Sequence, residues 1–147
     1  MNPKALGYLS LARRGRLLEV GEEPVGAVCR ARHARLVVVA SDASDHTIRR
    51  VKSFVEGTRQ PWLQIDCTKD DFGDAIGYSA CAIAAITDIR LALAFVQALG
   101  EPERHRALLE DLQKKADRAE QRQREEVDHV AVDETSELPV LESHEKR

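Results

Sequence analysis

The run Leu36–Ser44, Leu-Val-Val-Val-Ala-Ser-Asp-Ala-Ser, constrains the fold more than any other stretch of this chain. Its aliphatic part, Leu36 to Ala40, shows no polar alternation, so it reads as a strand covered on both faces, which requires helices on both sides of a sheet. The strand leads into a helix start. The side-chain oxygens of Asp42 and Ser44 suit the orphan amides of a helix over 45–55, where Ile48, Val51, Phe54 and Val55 recur at helical spacing.

The neighbouring segments alternate in the same way, with short connections. Pro3 to Arg14 reads as a helix with Leu6, Leu9 and Leu11 turned inward, stopped by Gly15 before an extended stretch to Val20. Gly21 opens the next helix, in which Pro24 is tolerated in the first turn and Val25, Val28 and Cys29 form the inner stripe up to about His33. Trp62 to Cys67 alternates as a strand does, Thr68 caps a helix over Lys69 to Ile76, and Gly77 ends it. Ala80 to Ile86 reads as a further strand, and Thr87 or Asp88 caps a last core helix that closes at Gly100. The class is α/β, with one domain over residues 1–100.

Beyond Pro102 the composition shifts. Residues 101–126 read as a charged helical extension whose apolar anchors are Leu108, Leu109 and Leu112, and which is expected to run into solvent. Residues 127–147 are acidic, contain Pro139 and lack periodicity, the composition of a disordered tail. The net charge of −3 hides this division: residues 1–100 hold 13 Lys and Arg against 11 Asp and Glu, while 101–147 hold 9 against 14. Only the first part favours nucleic acid, with its basic bias early in the chain at Lys4, Arg13, Arg14, Arg16, Arg30, Arg32 and Arg35.

No apolar run approaches the roughly 20 residues that span a bilayer, and the first residues lack a signal-peptide layout, so a cytoplasmic protein with no membrane contact is expected. Cys29, Cys67 and Cys81 are neither paired in number nor spaced as Cys-x-x-Cys, so they read as small buried residues and not as a zinc site. The five histidines are dispersed and read as solvated or capping groups, and the Asp42/Asp45 pair serves a helix dipole. Glycine-rich phosphate loops, nucleophile elbows and metalloprotease motifs are all missing. No cofactor, no metal site and no catalytic residue is expected.

Three motifs in this order resemble the ribosomal protein L-seven-Ae superfamily: Ala12-Arg-Arg-Gly-Arg-Leu-Leu-Glu-Val-Gly21, the Leu36–Ser44 run, and Phe72-Gly-Asp-Ala-Ile-Gly77 ahead of a strand ending at Thr87-Asp88. The resemblance covers residues 3–99 and is greatest to the small bacterial branch called YlxQ-like. It implies a three-layer α-β-α sandwich around a small mixed sheet. It also implies non-enzymatic binding of structured RNA of the kink-turn kind, with ribosomal RNA as a partner. In such proteins a helix N-terminus offers amides and a positive dipole to phosphates, and an adjacent loop touches an unstacked base.

Carried onto this chain, the helix start falls on Gly21, Glu22, Glu23, Pro24 and Ala27, and the loop on Gly77, Tyr78, Ser79 and Ala80. The family's helix opens Gly-x-Asn-Glu with a Lys three residues later; Glu23, Pro24 and Ala27 stand at those places, so the Asn, Glu and Lys are replaced. Glu22 and Glu23 put negative charge where phosphate would approach, and Pro24 removes an amide donor. Tyr78 offers a stacking ring, and Arg13, Arg14, Arg16 and Arg30 are the expected phosphate contacts. A second class stays open: a protein-interaction module on the same fold that has lost kink-turn recognition and holds a protein partner through the C-terminal extension.

Overall fold

The computed structural model describes the backbone of residues 1–145 and the side chains of residues 1–128. The expected tail at 127–147 therefore lies, from residue 129 on, outside the described side chains. Helices and strands alternate as α1 (Pro3–Arg14), β1 (Leu18–Val20), α2 (Glu22–Arg30), β2 (Leu36–Val39), α3 (Asp45–Val55), β3 (Trp62–Gln64), α4 (Lys69–Ile76), β4 (Ile83–Ile86), α5 (Ile89–Ala98) and α6 (Arg106–Glu145). The chain divides into two compact units, Met1–Gln113 and the segment from Lys114 on. Residues Leu108, Leu109 and Leu112 pack on the core of the first unit, so the beginning of α6 is part of it.

The sheet order is β1-β4-β2-β3. Strand β4 is antiparallel to both β1 and β2, with Val20 opposite Ala84 and Val39 opposite Ile83, while β3 lies parallel to β2 with Val37 opposite Trp62. The parallel pair needs a crossover, which α3 supplies. All four residues of β2 and all four of β4 are buried, as a strand without polar alternation demands. Successive side chains point to opposite layers. Leu36, Val38, Ala84 and Ile86 enter the cluster formed with α1, α4 and α5, and Val37, Val39, Ile83 and Ala85 enter the one formed with α2 and α3. The three-layer sandwich around a mixed sheet is thereby present.

Several expectations shift at the residue level. Ser44 caps α3, its hydroxyl accepting from the Thr47 amide at 3.2 Å, but Asp42 does not share that task. Its carboxylate accepts from the Lys69 amide at 2.8 Å and ties the β2–α3 loop to the start of α4. On α1 the inward residues are Ala5, Leu9 and Ala12, spaced on one helical face, which turns Leu11 outward at 46% exposure. On α2 the inward set is Val25, Gly26 and Cys29, with Val28 half-buried at its margin. Gly26 is there because Phe54 crosses it: a Cβ would stand 3.0 Å from that ring.

The helix α2 ends at Arg30 and not at His33 because Arg32 turns left-handed, at φ +61°. Strand β3 stops at Gln64; the Ile65 amide makes a last bond to Val39, and the chain then bends so that Cys67 accepts from Ser41. Strand β4 begins only at Ile83, since the preceding residues lie along α4, with the Cys81 amide bonded to Lys69. His105, expected as a solvated or capping group, is buried to 9% exposure in the first unit. Asp88, and not Thr87, caps α5 through the Leu91 amide at 2.9 Å.

Candidate nucleic-acid interface

Strand β1 delivers the chain to Gly21, whose φ of +100° and ψ of 163° only a residue without Cβ adopts cheaply. The Gly21 amide donates to the Ile83 carbonyl at 3.0 Å, so the start of α2 is pinned to the start of β4. No side chain caps this helix. The Val25 amide already reaches the Gly21 carbonyl and Pro24 has no amide, which leaves Glu22 and Glu23 as the first-turn donors.

Two glycines shape the loop that leads into β4. Gly77 ends α4 in the left-handed region, φ +83°, and donates to the Gly73 carbonyl. The Tyr78 amide bonds to the same carbonyl at 2.8 Å, and the loop folds back along α4. Gly73 makes that return feasible, for a Cβ there would lie 2.7 Å from both the Ala80 Cα and the Tyr78 carbonyl oxygen. The last loop residue, Ala82, accepts from Ala40, beside the point where Ile83 holds Gly21. Gly77, Tyr78, Ser79 and Ala80 are all exposed, and the guanidinium of Arg13 sits 5.3 Å from the centre of the Tyr78 ring.

The carboxylates at the α2 start have different surroundings. Glu22 accepts from the Arg50 Nε at 3.2 Å and from the Thr47 hydroxyl at 3.3 Å, which fastens α2 to α3 and offsets its charge. Glu23, Pro24 and Ala27 are exposed beside it. Arg50, which also lies 5.1 Å over the Phe54 ring, was not singled out by the sequence. Its i,i+4 spacing from Phe54 was visible, but its meeting with Glu22 depends on α2 packing against α3.

Of the four arginines expected beside the Gly21 helix, only Arg13 meets a loop residue of the site, Tyr78. Arg14 donates to the Ser10 hydroxyl at 3.1 Å on its own helix. Arg16 precedes β1 while Gly21 follows it: the residue after Arg16 accepts from Thr87 at the far end of β4. Arg30 closes α2, so about 12 Å of helix separates it from Gly21. The reason is topological, since an arginine before a strand and one after a helix fall at the end of the sheet opposite the strand-to-helix turn.

That sorting is general in this molecule. The end where β1, β2 and β3 feed their helices carries Glu22, Glu23, Asp42, Asp45, Asp66, Asp70 and Asp71, with Lys69 and the Glu22-paired Arg50 among them. The other end, where α1, α2 and α3 return to strands, carries Arg13 and Arg14 in the last turn of α1, Lys52 in the last turn of α3, and Arg16, Arg30, Arg32, Arg35 and Arg59, with Glu56 and the capping Asp88 as acids.

All three cysteines are buried and unpaired by disulfide. Burial pushes the thiols of Cys29 and Cys67 up from their ordinary value, and that of Cys81 up to about 12. Among the described residues no group of three His, Cys, Asp or Glu is placed to hold a metal ion, and no helix is long and apolar enough to cross a membrane.

No family model and no curated protein matches the chain. Solved structures do. A protein of unknown function from Bacillus halodurans is 28% identical, with a TM-score of 0.58, over 64% of this chain and 98% of its own. A 15.5 kD RNA-binding protein from Giardia lamblia is 19% identical, with a TM-score of 0.55, over 76% of this chain and 99% of its own. The chain therefore shares its fold with an RNA-binding protein.

Proposed function

We propose that this chain is a non-enzymatic, cytoplasmic RNA-binding protein of ribosomal type, a member of the L-seven-Ae superfamily in its YlxQ-like branch. Structured RNA is the ligand, kink-turn-like and of ribosomal origin. The observation that carries the reading is the junction of the α2 start with the loop before β4, pinned by the 3.0 Å bond from Gly21 to Ile83, on a fold shared with an RNA-binding protein. The α2 amides meet a phosphate, and Tyr78, backed by Arg13, stacks on an unpaired base. The ion pair from Arg50 lowers the repulsion that Glu22 would otherwise present.

The test is an electrophoretic titration of the full chain with a kink-turn RNA hairpin and an uninterrupted hairpin. Preference for the kink-turn, lost in Tyr78→Ala by roughly tenfold as one stacking contact is removed, supports the reading. Equal affinity for both hairpins refutes kink-turn recognition, and no binding to either refutes the function.

A second reading has the C-terminal extension hold a protein partner. It is favoured by α6 continuing beyond Gln113 in a unit of its own, with Val127 60% exposed. Deleting residues 114–147 then removes a co-purifying protein; retention of that protein refutes it.

A further inference from the structure

We propose that the arginine-bearing end of the sheet, opposite the α2 start, is a second RNA surface that grips the sugar-phosphate backbone of a helical stem. The inference rests on the reading of RNA as the ligand and goes beyond it by assigning a separate face.

The first observation is conformational. Among the described residues the non-glycine positions with positive φ are Arg16, Arg32 and Arg59, at +61°, +61° and +63°. Each lies in the turn that carries a helix into the next strand: α1 to β1, α2 to β2, α3 to β3. Glycine or asparagine fits that geometry with the least strain. An arginine stands at each of the three positions instead, so the strain accompanies a cation at every one of these turns.

The second observation is that the turns form one row. Leu17 accepts from Thr87, the Arg35 amide donates to Ile86, and the Val37 amide donates to Pro61, which gathers them at one edge. Buried Gln60 ties the second and third turns together, accepting from Ala34 at 2.9 Å and donating to the Cys29 carbonyl at 3.0 Å. With the order β1-β4-β2-β3 and strands about 4.8 Å apart, the turns before β1, β2 and β3 span roughly 15 Å. Arg30 and Arg35 flank the middle turn.

A row of that length with exposed Arg16 and Arg32 suits a repeating polyanion better than a single phosphate group. Two grooves of the first unit lie elsewhere, one with Asp71 and Asp74 in its lining and the other with Asp66 and Glu101 beside Arg104. Roughly 10 Å of β4 separates the two ends of the sheet, more than the Debye length of about 8 Å at physiological salt, so the carboxylates at the α2 end leave the arginine end's attraction largely intact.

The test compares the full chain with Arg16→Asn/Arg32→Asn, in which asparagine suits the left-handed turns, so that folding is retained or improved while the charge is removed. Binding to a 20-base-pair RNA hairpin is measured from 50 to 200 mM salt, beside vesicles of phosphatidylserine. The expected result is an unchanged or higher melting temperature, affinity lower by on the order of 30-fold at 0.1 M salt, and a salt slope reduced by about 2. Wild-type binding with an unaltered slope in the double variant, but affinity lost in Tyr78→Ala, overturns this surface and leaves the proposed function standing. No RNA binding by the wild type overturns both. Charge-dependent binding to the vesicles in place of the hairpin overturns the assignment to RNA.

Discussion

Replacing Gly73 with alanine sets two opposed effects against each other at one atom. Within a helix, alanine is favoured over glycine by about 1 kcal/mol, so Gly73→Ala at an indifferent site would stabilise α4. Here the new Cβ meets backbone: the Ala80 Cα and the Tyr78 carbonyl oxygen at 2.7 Å and the Ala80 amide nitrogen at 2.8 Å, where ordinary contact begins near 3.4 Å. No side chain can rotate away, so the returning loop must shift by more than half an ångström. That movement loosens the Tyr78 bond to Gly73 at 2.8 Å and the Cys81 bond to Lys69 at 3.0 Å, each worth about 1 kcal/mol, and adds overpacking strain of about 1–3 kcal/mol. The steric terms win, and with both bonds lost the net loss is about 2–4 kcal/mol, or several degrees in melting temperature.

The assay is urea unfolding followed by the fluorescence of Trp62, the single tryptophan, which reports on β3. Gly7→Ala is the matched control, since its Cβ would meet nothing within 4 Å on α1, and it should gain about 0.5–1 kcal/mol. A Gly73→Ala protein as stable as the wild type would refute the close approach of loop to helix, and with it the account of how Tyr78 is presented.

Two further predictions concern buried polar groups. Gln60→Ala removes the partner of the Ala34 amide and the Cys29 carbonyl, and should lower stability by about 2 kcal/mol in the same titration; a loss below about 0.5 kcal/mol would mean that the bridge between the two turns is dispensable. The Cys81 thiol, at about 12 in the folded chain against 9.0 for the ordinary group, binds its proton more tightly folded than unfolded. Its contribution is present below pH 9 and is lost as pH rises towards 12, by at most about 1.4 kcal/mol per pH unit. Stability measured from pH 8 to 11 should fall less steeply in Cys81→Ala than in the wild type; parallel curves would contradict the buried, neutral thiol.

The local order of elements was legible because it is written in short-range chemistry. Ser44, Thr68 and Asp88 each accept from an amide three residues on, and Gly77 and Gly100 turn left-handed after their helices, all within one turn of chain. The unbroken apolar run of β2 likewise announced that both faces are covered, and Leu36 to Val39 are 0% exposed. Less legible was the second task of a residue suited to a local one. Asp42 has the chemistry of a cap, but the Lys69 amide is 27 residues away and only the folded sheet brings it to 2.8 Å.

The candidate site divides in the same manner. The helix stop at Gly77 and the helix start at Gly21 were readable from the chain, since turn geometry is local, whereas the need for Gly73 comes from the loop that returns along α4. Which charges share a surface was not. By itself the sequence determined the alternation of helix and strand, a core sheet covered on both sides, and a first hundred residues with a slight excess of positive charge. Tertiary structure alone decided that most carboxylates stand at one end of the sheet and most arginines at the other, because a charge's end depends on whether its turn leads into a strand or out of one. Residues close in sequence, such as Arg16 and Gly21, are thereby set apart, and distant ones, such as Arg16 and Arg35, are gathered at the same edge.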